Sequence, residues 1–101
     1  MFYTIEQAKE QVATLEALER LEANKDFQKI IIEGYCQANT DILVRLLSSS
    51  ANEQQYKERC NKLLAVSHFR DFLYSLHRDG EGAKEALANP ETYKALEGVD
   101  E

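Results

Sequence analysis

Residues 53–77, EQQYKERCNKLLAVSHFRDFLYSLH, decide the fold. Their apolar members, Tyr56, Cys60, Leu63, Leu64, Val66, Phe69, Phe72, Leu73 and Leu76, return at steps of three and four, with polar residues between. This is the period of an amphipathic helix, and it continues for about seven turns without a proline or glycine. Just upstream, Ser48-Ser49-Ser50-Ala51-Asn52 has the composition of a tight connection between antiparallel helices, with Asn52 or Ser50 able to cap the helix that follows.

On the far side of that connection the chain repeats the pattern. Thr4 followed by Gln7 is a capping-box arrangement, so a helix should start at Thr4 or Ile5. Ile5, Ala8, Val12, Leu15, Leu18 and Leu21 carry its apolar face to about Glu22. Asn24 and Asp26 offer a C-cap followed by an N-cap, which predicts a kink near Ala23-Asn24-Lys25. Phe27, Ile30, Ile31 and Tyr35 restart the pattern, Gly34 and Asn39-Thr40-Asp41 mark further irregularities, and Ile42, Leu43, Leu46 and Leu47 end this half.

Downstream, Asp79-Gly80-Glu81-Gly82 should end the second helix, since two glycines among acids favour chain freedom over helix. A short helix around Ala83–Ala88 would stop before Pro90. The reading is all-α: an antiparallel helical hairpin with a kinked first half over residues 1–78, and an acidic C-terminal tail over residues 79–101, partly helical or mobile.

Two helices leave apolar surface over. Ile30-Ile31-Ile32 spans about 200° of a helix at ~100° per residue. Leu63-Leu64 and Phe72-Leu73 widen the second stripe in the same way. The chain has 101 residues, so its own core is small, and a homo-oligomer whose interface completes that core is expected.

The formal net charge is −6, from eighteen acids and twelve bases. Residues 1–50 hold five bases and eight acids, residues 51–78 five and three, and residues 79–101 two and seven, so the acid is concentrated in the tail. A long nucleic acid is a poor partner for such a chain, because that affinity comes from cations that displace counterions. A small anion near the basic second helix is not excluded. Cys36 and Cys60 read as small hydrophobes in a reducing, cytoplasmic compartment, and no apolar run approaches the ~20 residues of a membrane span.

Catalytic and metal chemistry find no foothold in the pattern. His68 and His77 lie nine apart and Cys60 eight before His68, so no pair sits at the i, i+4 spacing of helical ligands. The four glycines are scattered, which excludes a phosphate loop, and Ser48-Ser49-Ser50 lacks a His-Asp arrangement nearby. No cofactor is expected and no enzyme activity. Lys25 and Lys29 lie four apart after the kink, beside Phe27 and before Tyr35, where cations next to aromatic faces suit a phosphate and a stacked base. The alternative is that they pair with Asp26 and Glu33. Arg70, among Phe69, Asp71 and Phe72, is a candidate for an interface or a ligand.

Residues 18–35, LERLEANKDFQKIIIEGY, followed by an aliphatic segment, a polar turn and a helix with Phe69-Arg70-Asp71-Phe72-Leu73, complete the picture. The stretch resembles the pattern ALxRLxxNPDFKKxIxEGY of the helical-hairpin family of phage anti-CBASS proteins, related to a domain of the anti-Thoeris sponges. Asn24, Asp26, Phe27, Lys29, Gly34 and Tyr35 are the specific matches, with Lys25 where the pattern has proline. The resemblance implies a symmetric oligomer, often a hexamer, that sequesters cyclic dinucleotides or cyclic trinucleotides in the host cell cytoplasm without cleaving them. It points to Lys29 at a phosphate and to Arg70 in a second pocket for cyclic trinucleotides. The family often has a stacking aromatic in its first helix; Gln11 to Leu21 holds none, which leaves Phe2 and Tyr3 for that role. A helical protein–protein adaptor or phage accessory factor is the alternative function.

Overall fold

The structure, a computed structural model, describes residues 4–89. Phe2, Tyr3 and the tail beyond Asn89 lie outside the described residues. Helix α1 spans Ile5–Glu22, α2 Lys25–Phe27, a π-helical segment Gln28–Ala38, α3 Asn39–Leu47 and α4 Glu53–Ala88. No strand occurs among the described residues. No helix among them is long and apolar enough to cross a membrane. The described residues form two compact units: one joins those up to Leu21 with those from Leu73 to Asn89, and the other is Glu22–Phe72.

In the first unit, α1 opens on Thr4, whose Oγ1 accepts the Gln7 N–H at 3.0 Å. Its inner face is Ala8, Leu15 and Leu18, all buried. Ala8 packs with Ala83 and Ala86 of α4, flanked by Ile5, Val12 and Leu87. Leu15 lies beside Gly80, so advancing along α1 means retreating along α4 and the two helices are antiparallel. Helical side chains lean toward their own N-terminus. Glu19 and Lys84 therefore converge across this antiparallel pair, and their charged groups stand 3.8 Å apart.

The glycines at 80 and 82 do not end the helix. Helix α4 runs unbroken for 36 residues, and the expected short helix at Ala83–Ala88 is its last stretch. The cause is tertiary. A Cβ on Gly80 would fall 2.4 Å from the Leu15 Cβ, so only glycine lets α1 come this close. Glycine costs a helix about 1 kcal/mol against alanine, whereas fully burying a leucine is worth roughly 1.5–3 kcal/mol, and Leu15 is fully buried.

In the second unit, Asn24 is the N-cap of α2, its Oδ1 accepting the Phe27 N–H at 3.0 Å, so it opens the new helix instead of closing α1, and Asp26 lies inside α2. The C-terminus of α1 is closed by Gln28, whose Nε2 donates to the Glu22 carbonyl at 2.6 Å. The kink expected at Ala23-Asn24-Lys25 is held from both sides by these two amides.

From Gln28 the winding changes. The Asn39 N–H donates to the Gly34 carbonyl, five residues back, as π winding requires. At its C-terminal end Thr40 Oγ1 donates to the Cys36 carbonyl at 2.7 Å. Helical steps of three and four from Phe27 predict Ile30 on the inner face, yet it is 65% exposed, while Ile31, Ile32 and Tyr35 are half-buried and Cys36 is buried. Each π turn takes up roughly one more residue than an α turn, which rotates Ile30 outward and brings Cys36 in.

Helix α3 contributes buried Leu43, and α4 contributes buried Val66. The connection behaves as its composition predicts. Ser48, Ser49 and Ser50 hydroxyls donate to the carbonyls of Arg45, Leu46 and Leu47, which α3 leaves unpaired at its end. Asn52 Oδ1 accepts the Gln55 N–H at 2.8 Å and Gln55 Oε1 accepts the Ala51 N–H, a reciprocal cap for α4. Arg59 on α4 donates through one NH group to the Leu46 carbonyl and to Ser50 Oγ, fastening the turn to the helix.

Candidate functional site

The candidate site is built on the second unit. Lys25 is the first residue of α2, immediately after the Asn24 cap, and Lys29 is the second residue of the π-helical segment. Both are exposed, and neither forms an ion pair with a described residue. The pairing with Asp26 and Glu33 that spacing allows is therefore not made. Side chains four apart face each other on an α-helix. Under π winding the backbone above Lys29 is Gly34, where a Cβ would stand 3.3 Å from the Lys29 carbonyl oxygen.

Two uncompensated ammonium groups on successive turns, with Phe27 half-buried between them, are able to receive an anion without first breaking a salt bridge. Gln28 between them is committed to the Glu22 carbonyl, which fixes the kink that carries both lysines.

Tyr35 is differently placed. Its ring packs edge-to-face on Phe69 of α4, with centroids 5.9 Å apart and planes at 84°, an arrangement typical of interior aromatic pairs. The ring is thus engaged in holding the π-helical segment to α4. Arg70, the next residue along α4, is exposed and has no ion pair with Asp71 or any other described residue. Phe72 beyond it is also exposed. Lys25, Lys29 and Arg70 share one unit, whereas Phe2 and Tyr3 lie outside the described residues.

Cys36 is buried and Cys60 half-buried, both as free thiols. Among the described residues no group of three or more His, Cys, Asp or Glu side chains is arranged to hold a metal. Sequence reasoning passed over Arg59, whose contact with Leu46 joins two positions thirteen apart across the turn. Its signal was a basic residue two turns into the helix after a short serine connection, where it can return to the carbonyls that end α3.

Ile30, Ile42, Val44, Tyr56, Leu64 and Phe72 of this unit all keep about half or more of their surface exposed. No family model matches the chain, and no curated protein or solved structure matches it.

Proposed function

We propose that this chain is a phage anti-defence protein that sequesters cyclic di- or trinucleotides, withholding them from CBASS-type effectors of the host cytoplasm without cleaving them. The observation that carries this reading is the pair Lys25 and Lys29, exposed and free of ion pairs directly after a kink fixed by two side-chain caps. Sequestration needs cations at phosphates and surfaces for bases, and no catalytic group. Arg70 supplies a further unpaired cation in the same unit, for a second pocket. The likeness of residues 18–35 to the sponge pattern supports the same assignment.

In this reading the protein acts as a homo-oligomer, with a hexamer favoured. The support is the exposed apolar set in the second unit, together with Leu21 and Tyr74 in the first, which a further copy would cover. A cyclic dinucleotide has two phosphates and two bases, and paired sites related by a two-fold axis match it. Isothermal titration of the full chain against a panel of cyclic di- and trinucleotides is the test. Saturable heat for at least one, with the nucleotide recovered intact by mass spectrometry after heat denaturation, is the expected result; silence for all at tens of micromolar ends the reading.

The second reading, a helical adaptor that docks on a host protein, is favoured by the same apolar exposure at Ile30, Leu64 and Phe72. It requires a monomer by light scattering at micromolar concentration and a one-to-one complex with a purified protein partner.

A further inference from the structure

Val66 is buried and marks the inward direction of the part of α4 that belongs to the second unit. At ~100° per residue, Lys62 and Arg70 lie about 40° from it and Glu58 about 80°, so all three sit on the inward half of the helix circumference, from which long side chains still reach water. The outward half between Lys57 and Asp71 consists of Cys60, Asn61, Leu64, Ala65, Ser67 and His68. With histidine neutral none of the six is charged, in a chain whose residues are 30% charged. Cys60 is half-buried and the other five are exposed.

Protein–protein interfaces are depleted of charge at their centre and keep it at the rim. This face has that anatomy. Leu64, 54% exposed, is its midpoint, seven residues from Lys57 and seven from Asp71. Tyr56 and Phe72 stand eight residues to either side and are 47% and 58% exposed. The side chains of Asn61, Ser67, His68 and Asp71 make no hydrogen bond or ion pair with a described residue. Lys57 meets Glu53 at 3.4 Å in an exposed pair, of the kind that water weakens.

We propose that the outward face of α4 from Tyr56 to Phe72 is a two-fold contact between copies of this chain, antiparallel and centred on Leu64. The charges select this occupant and its direction. An antiparallel copy brings the Lys57 end of each helix to the Asp71 end of the other, and the Tyr56 end to the Phe72 end. A parallel copy sets Lys57 beside Lys57 and Asp71 beside Asp71, and aligns the two helix dipoles. An isologous contact uses one surface twice, which the equal spacing of both charges and both aromatics about Leu64 allows. At ~1.5 Å per residue the face is about 24 Å long and about 10 Å wide, well short of the ~800 Å² per partner of a standard interface, so the contact is weak by itself and reverses on dilution. The proposal rests on the homo-oligomer of the function proposed above and is independent of the nucleotide.

Sedimentation velocity of the full chain, from about 1 to about 200 µM, tests the contact. The parent should shift reversibly to larger species as concentration rises. Leu64→Glu, at an exposed position, should keep the helical signal and thermal midpoint of the parent. It should lose the shift or need at least about tenfold more protein for it, because each new carboxylate meets its own copy at the axis. Lys57→Asp and Asp71→Lys should each weaken association by giving both ends of the contact like charges. The double variant K57D/D71K should restore most of it, since the ends are again opposite in sign. A single-chain mass at every concentration would overturn the contact together with the homo-oligomer, and would leave the face to a different protein. An oligomer indifferent to L64E, or weakened by both single charge variants and not rescued by the double, would overturn this contact alone and place the copies' interface elsewhere.

Discussion

Leu15 of α1 and Gly80 of α4 approach so closely that a Cβ on the glycine would lie 2.4 Å from the leucine Cβ and 2.8 Å from its Cδ2. Gly80→Ala must push the two helices apart. Overpacking of this kind costs about 1–3 kcal/mol, which exceeds the gain of up to ~1 kcal/mol from replacing a helical glycine. Gly80→Ala should therefore lower the midpoint of thermal unfolding, and an unchanged or raised midpoint would contradict the packing described.

Asn24→Ala removes the oxygen that accepts the Phe27 N–H. A lost N-cap costs about 1 kcal/mol, so the urea midpoint should fall with little change in slope. Asn24→Asp, which keeps an acceptor, should retain most of the stability.

Arg59→Ala removes one donor from the Leu46 carbonyl and the donor to Ser50 Oγ. A charged hydrogen bond contributes about 1.5–3 kcal/mol, and this one also opposes the negative end of α3. The loss should lie near the lower limit because the neighbouring serines still reach the same carbonyls. Chemical denaturation measures it, and a variant as stable as the parent would remove Arg59 from the account of the turn.

Tyr35 and Phe69 should couple in a double-mutant cycle with leucine at each position. An edge-to-face pair at 5.9 Å is worth about 0.5–1.5 kcal/mol beyond area burial, so the double variant should lose less than the two single losses added. Additive losses would mean that the rings touch without interacting.

Lys29→Ala, in contrast, should leave folding unchanged, since the side chain is exposed and makes no ion pair. Its effect belongs to ligand affinity: a loss of tenfold or more, on the ~1.5–3 kcal/mol of a charge-assisted hydrogen bond. Titration calorimetry alongside thermal unfolding separates the two, and unchanged affinity would place the anion elsewhere.

Local chemistry was legible in the sequence wherever local chemistry governs. Thr4 and Asn52 announce helix starts, the serine run announces a turn, and the kink falls where Asn24 interrupts the pattern. Glycine punctuation failed at Gly80 because the reason for that residue is a leucine distant in sequence, which no local rule can see. The π-helical winding was hidden by Ile30-Ile31-Ile32, whose uninterrupted apolarity satisfies either period; the clue that remained was the longer step from Phe27 to Ile32 and then to Cys36. Of the candidate site, Lys25 and Lys29 were singled out by their spacing, but that neither pairs with Glu33 emerges only from the structure. Tyr35 was seen as an aromatic beside cations, and its engagement with Phe69 emerged only from the tertiary structure.

Helix α4 belongs to both units, yet the two units close in different ways. Contacts such as Arg59 with Leu46 and Tyr35 with Phe69 join neighbours around one short turn, so their loops are quick and cheap to form. Leu15 meets Gly80, and Ala8 meets Ala86, only when segments 65 and 78 residues apart come together. During synthesis the central unit can fold while α1 waits, its apolar face uncovered, until the last part of α4 leaves the ribosome. The exposure time of Leu15 and Leu18 is thus set by the rate of translation, and a chain that stops before Gly80 leaves α1 without the surface it was shaped to meet.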